Sequence, residues 1–126
     1  MIDDKHGQNK MLDALNARSL AAKREYVREL EMRGDAQALA SLVECLCDES
    51  WYLRDLAEQV LLRRGARGAD VLVPLLAEGL WFTRTSAARI LGRLGCGDAV
   101  PALFPLTEDA NDTVAAAARD ALIAIG

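Results

Sequence analysis

The sequence is poor in the residues from which active sites and covalent scaffolds are built. Its 126 residues include one histidine, His6, three cysteines and six aromatic side chains. His6 lies in a polar N-terminal segment with nothing to hold it beside a serine or cysteine, so a nucleophile–histidine pair is not expected. Three cysteines are an odd number and too few for a disulfide scaffold, which suits a reducing cytoplasm. Cys45 and Cys47 lie two apart, and on a helix that turns them to different faces. No second pair completes a zinc site, and core packing of at least one is expected. Cys96 follows a glycine and is a candidate for exposure. No apolar run approaches the ~20 residues needed to span a bilayer. Met1 to Lys10 is polar and acidic, unlike a signal peptide. Nor is there a glycine motif that cradles phosphate. Positive charge is not in excess either: 15 Lys and Arg stand against 19 Asp and Glu, a net charge of −4. A general nucleic-acid binder is normally basic, so nucleic acid is not the expected partner. Taken together, no catalysis, no metal, no cofactor and no membrane association are expected.

Apolar residues are abundant, at 52% of the chain. Mean hydropathy is only +0.05, so they must be interleaved with charge. A chain of this length and composition can bury the core of one domain unaided. Glycines punctuate it at Gly34, Gly65, Gly95 and Gly126, a near-constant interval that marks a repeat architecture. Each closes a segment of one pattern. Leu53 to Gly65 aligns without gaps to Thr83 to Gly95 and to Val114 to Gly126, and Ala22 to Gly34 is a looser fourth copy. Within a copy, Leu53, Ala57, Val60, Leu61 and Arg64 fall on one face of a helix. The closing glycine suits the left-handed residue that ends a helix. A shorter apolar segment precedes each copy: Leu39, Leu42 and Leu46; Leu72, Leu75 and Leu76; Val100, Leu103 and Leu106. Each repeat therefore reads as two antiparallel helices. Pro101 falls in a first turn, where its missing donor costs nothing. Pro74 and Pro105, at matching positions of consecutive repeats, lie inside first helices and predict a bend in each.

These segments, with Gly97-Asp98-Ala99-Val100-Pro101-Ala102-Leu103, resemble HEAT-like repeats of the short bacterial type found in phycobilin lyases and in many scaffolding proteins. The resemblance covers about residues 34–126. It departs at Ala115, where the motif has arginine, and at Trp51 and Trp81, which replace turn residues. It implies an all-α fold, a right-handed α-solenoid of about four antiparallel helix pairs. Residues 1–33 would form a divergent N-terminal capping pair, followed by repeats at 34–66, 67–96 and 97–126. In such stacks the second helices line the concave side. Residues 113–126 carry only Arg119 and Asp120 as charges, so the C-terminal helix is expected to self-associate, to dock a partner or to continue into a longer chain; simple exposure is as good an account.

Several side chains could carry function. Asp48-Glu49, Glu78, Glu108-Asp109 and Asp112 gather between paired helices, where helix capping explains most of them. Arg54 and Arg84 occupy matching positions and are expected to bridge to acidic turn residues. Trp51-Tyr52 and Trp81-Phe82 are aromatic pairs one repeat apart. Neighbours on a helix diverge by about 100°, so both members of a pair cannot point inward. One of each is expected on an exposed edge, as at binding hot spots, or else packed between repeats. Reading the outer face of successive second helices gives Arg24, Arg28 and Met32; Asp55, Gln59 and Arg63; Thr85, Arg89 and Arg93; Ala116, Asp120 and Ala124. Five arginines against two aspartates make this face cationic within an acidic chain. Arginine suits bidentate recognition of carboxylates; an ordinary solvated helix face has the same pattern.

The expectation is a non-catalytic, cytoplasmic scaffold or adaptor that binds a protein, such as an acidic peptide, on its concave face. Arg28, Arg63, Arg89 and Arg93 would form the binding surface, with Trp51 and Trp81 at its edge. The resemblance also implies a rival, a phycobilin-lyase-like subunit acting on a tetrapyrrole. A DNA-binding HEAT-like module is the weaker alternative.

Overall fold

The structure, a computed structural model, describes residues 19–126. His6 and the first helix expected within residues 1–33 lie outside the described residues. All regular structure among the described residues is helical, with no strand. None of the described helices is long and apolar enough to cross a membrane. The chain divides into two compact units, with the boundary between Ala57 and Glu58.

The first unit contains α1 (Leu20–Arg33), α2 (Ala36–Leu46) and the opening turns of α3 (Trp51–Arg64). Ser19 starts α1 by accepting the Ala22 N–H on its hydroxyl, and Asp35 starts α2 by accepting the Ala38 N–H at 2.7 Å. Between them Gly34 turns the chain at φ 67°. The other three repeat-end glycines, Gly65, Gly95 and Gly126, also take positive φ. A side chain at any of these positions would be strained, which is why the punctuation is glycine. α1 packs on α2, burying Val27 and Leu30 from one and Ala38, Leu42, Cys45 and Leu46 from the other. Each fully buried leucine stabilises the unit by roughly 1.5–3 kcal/mol relative to exposure. Burial, reinforced by the Asp48 and Glu44 carboxylates, pushes the Cys45 thiol up to about 12. Tyr26, half-buried beside Cys45, is also raised, chiefly by its own burial.

Capping at α3 differs from expectation. Ser50 accepts the Leu53 N–H on its hydroxyl at 3.3 Å, and Asp48 stands behind it, accepting the Ser50 N–H at 2.9 Å. The same device recurs before the last helix, where Asn111 accepts the Thr113 and Val114 N–H groups while Asp109 accepts that of Asn111. The carboxylates brace the cap residues rather than capping the helices themselves. A shorter polar side chain at the cap reaches the first-turn amides, and the aspartate two residues earlier closes an Asx-type turn around it.

The second unit holds the rest of α3, a 3-10 turn at Gly65–Gly68, α4 (Ala69–Leu72), α5 (Leu75–Glu78) and α6 (Trp81–Arg93). A 3-10 turn at Gly97–Ala99, α7 (Val100–Leu103), a 3-10 segment at Phe104–Glu108 and α8 (Asp112–Ile125) complete it. Pro101 sits in the first turn of α7 as expected. Around Pro74 the helical hydrogen bonding is interrupted between α4 and α5, and Pro105 falls in the 3-10 segment that ends α7. Val73, Pro74, Leu103 and Phe104 nevertheless keep right-handed helical backbone angles, so what each proline removes is one N–H from the ladder. The principal packing is α6 against α8. Gly92 makes it close: a Cβ there would lie 2.6 Å from the Ala121 Cα and 2.7 Å from its Cβ.

Candidate functional site

Arg84 and Arg54, the matched arginines, have matched local roles. Arg84 donates through Nη1 to the Gly79 carbonyl at 2.8 Å and pairs through Nη2 with Asp109 at 3.1 Å. This ties the entrance of α6 to the turn before α8, a bridge of the expected kind. Arg54 donates through Nη1 to the carbonyls of Asp48 and Glu49, at 2.8 and 2.9 Å. Both arginines thus clamp the turn that begins their own helix, satisfying turn carbonyls that lie outside the helices. They are structural.

The outer face of the second helices is exposed nearly as read. Arg24, Arg28, Met32, Asp55, Gln59, Arg63, Arg89, Arg93, Ala116, Asp120 and Ala124 all reach solvent. Thr85 does not. It is buried, and its hydroxyl donates to the Trp81 carbonyl at 2.8 Å, a back-bond that turns the side chain onto its own helix.

Arg89 is not a freely moving cation. Its Nε and Nη2 donate to the two carboxylate oxygens of Glu58, at 2.8 and 3.1 Å. The Glu58 side chain is only 8% exposed, while that of Arg89 is 45% exposed. The pair is a two-point fork that fixes the guanidinium plane and neutralises its charge from below. Glu58 is absent from the sequence-derived site. The signal for it is there all the same: Glu58 and Arg89 stand 31 residues apart, within one position of the repeat register, on consecutive second helices.

Beyond Arg89 lies a groove between α6 and α8 of about 240 Å³. Arg89, Gly92 and Arg93 line it from α6, and Ala117, Asp120, Ala121 and Ala124 from α8. Its floor is therefore glycine and alanine, and its walls carry opposite charges. Neither Arg93 nor Asp120 has an ion-pair or side-chain hydrogen-bond partner among the described residues. Arg93 also occupies the last turn of α6, where the helix dipole favours a cation.

The remaining predicted residues lie elsewhere. Arg28 is exposed on α1, in the first unit. Trp51 is 67% and Trp81 46% exposed, each at the head of its helix. Each packs edge-on against the next ring, Trp51 on Tyr52 at 5.7 Å between centroids and Trp81 on Phe82 at 5.6 Å. Tyr52 and Phe82 are half-buried, so the tryptophan is the outward member of each pair. The Tyr52 hydroxyl accepts from Arg24 Nε at 3.3 Å. Of the cysteines, Cys45 is buried, Cys96 half-buried and Cys47 exposed. Among the described residues, no group of three or more His, Cys, Asp or Glu side chains could hold a metal ion. No protein-family model matches the chain, and no curated protein matches it either.

Proposed function

We propose that the chain is a HEAT-like α-solenoid working as a non-catalytic protein-binding scaffold or adaptor, with the outer face of its second helices as the binding surface. Four helices ending in left-handed glycine at near-constant spacing support the repeat reading. So does the turn clamp that recurs at Arg54 and Arg84. The observation that carries the functional reading is the α6–α8 groove. It is a small-residue cleft with exposed arginine on one wall, one guanidinium held rigid by Glu58 and one without an ion-pair partner among the described residues. The Glu58 fork takes up the Arg89 charge and holds that wall rigid, so a partner's carboxylate is drawn to Arg93 on a surface already in place, which favours specific protein recognition. The partner expected here is a protein segment that brings a carboxylate to Arg93.

The test is affinity capture from lysate of the source cells, with nuclease treatment and mass spectrometry, comparing the wild type with an Arg63→Glu/Arg93→Glu variant. Arg89 is left intact because a glutamate there would face Glu58 and disturb the fold. A discrete set of proteins lost in the variant supports the reading. The same proteins recovered by a folded variant would overturn the arginine face as the binding surface.

A further inference from the structure

We infer that the α6–α8 groove is a self-complementary surface whose occupant is a second copy of this chain. The inference rests on reading this face as a protein-binding surface, and it names one partner for it. A two-fold symmetric interface sets the same patch against itself, so each feature needs its complement within that patch. This groove meets the requirement in charge. Arg89 is cancelled locally by Glu58, which leaves Arg93 on the α6 wall and Asp120 on the α8 wall, opposite in sign and without an ion-pair partner among the described residues. A two-fold rotation places Arg93 of one protomer opposite Asp120 of the other, and the converse, which forms two ion pairs from groups that have none among the described residues. A uniformly acidic ligand meets Asp120 and a uniformly basic one meets Arg93, so each gains from one wall and is repelled by the other.

The floor fits the same occupant. Gly92, Ala117, Ala121 and Ala124 present little side chain, so a helix can approach closely. Ile123, also on α8 though not among the groove-lining residues, is 78% exposed among the described residues and offers apolar surface that a dimer can cover. Other partners of this face compete with self-association, because both use Arg93.

The purified chain tests this directly by sedimentation velocity over a wide concentration range at low and high salt. A reversible dimer is expected, with either single reversal, Arg93→Asp or Asp120→Arg, weakening association by at least about tenfold. The double swap Arg93→Asp/Asp120→Arg restores it, because the pairs re-form with their signs exchanged. Both side chains are exposed, and circular dichroism checks that each variant is folded. A second variant, Ala124→Trp, fills the groove without altering its charge and is expected to block dimerisation. A wild type that stays monomeric throughout, or a dimer indifferent to these substitutions, overturns the inference. Either result leaves the adaptor reading to stand or fall on the capture experiment alone.

Discussion

Replacing Gly92 with alanine tests how α6 and α8 are held together. Ordinary carbon–carbon contacts lie near 3.5–4.0 Å. The added methyl would start 2.6 Å from the Ala121 Cα and 2.7 Å from its Cβ, so the helices must part locally by roughly 1 Å. Overfilling a packed core costs about 1–3 kcal/mol. The upper part of that range applies, because the opposing Cα belongs to a helix backbone and cannot rotate away. Alanine in place of glycine in the last turn of α6 returns at most about 1 kcal/mol through backbone entropy, the value for a helix interior. The net expectation is a loss of about 1–2 kcal/mol, seen as a fall in Tm of roughly 4–8 °C. Thermal and urea unfolding followed by circular dichroism measure it. Ala121→Gly in the same background removes the contact at 2.7 Å but not the one at 2.6 Å, so it should recover stability only in part. Gly97 is the control, since a Cβ there meets nothing within 4 Å. Gly97→Ala should change stability by less than about 0.5 kcal/mol. A Gly92→Ala protein that melts at or above the wild type would refute the close approach.

Three further outcomes follow from the same structure. Arg89→Leu leaves the Glu58 carboxylate buried without its fork and should cost about 1–3 kcal/mol, a figure reduced because Arg89 is partly exposed. A double-mutant cycle with Glu58→Gln should give a coupling of about 1 kcal/mol, and none would dismiss the pair. Cys45 titrates higher in the folded chain than its ordinary 9.0, at about 12, so its contribution to stability is intact below pH 9 and is lost as the pH rises towards 12. Stability measured by urea unfolding should fall across that window by up to about 1.4 kcal/mol per pH unit, with Cys45→Ala flattening the decline. A thiol reagent at neutral pH should modify Cys47 first, Cys96 next and Cys45 only on unfolding. Finally, Asn111→Ala removes the acceptor of two first-turn amides of α8 and should cost about 1 kcal/mol in urea unfolding, while Asn111→Asp keeps most of it.

What can be read from the sequence is whatever depends on short stretches of chain. The four repeat glycines need only their spacing and the rule that a left-handed helix end excludes Cβ. The buried stripe Leu53, Ala57, Val60 and Leu61 needs only the helical period, and all four are buried. Pro101 needs only its place in a first turn. Misreadings arise where two local effects compete. At Pro74 the hydrogen-bond ladder divides into α4 and α5 for want of one N–H, while the backbone angles stay helical. The capping carboxylates fall in the right turns but one step too far back, since Ser50 and Asn111 reach the amides and Asp48 and Asp109 hold them. Register alone turns Thr85 outward, which ignores a hydroxyl's option of bonding back to its own helix.

The charge of the candidate surface is the hardest property to read, and the reason is general. Register can say that Arg63, Arg89 and Arg93 point outward. It does not say what meets them from a neighbouring helix, and electrostatics is decided by the neighbours. Arg89 looks in sequence like one of five cations on an open face, yet it shares its charge with a carboxylate one repeat earlier that is almost wholly buried. A carboxylate buried that deeply needs a partner to offset its lost hydration, so the fork serves the fold first. What it leaves for recognition is a rigid neutral wall with Arg93 at its end. Opposite stands Asp120, the residue that replaces Arg89 at the same place in the next copy of the repeat. Aspartate rather than arginine at this repeat position gives the two walls of the groove unlike charges. A surface so arranged discriminates against polyanions and favours a partner carrying both signs, which is what a second copy of the same surface presents.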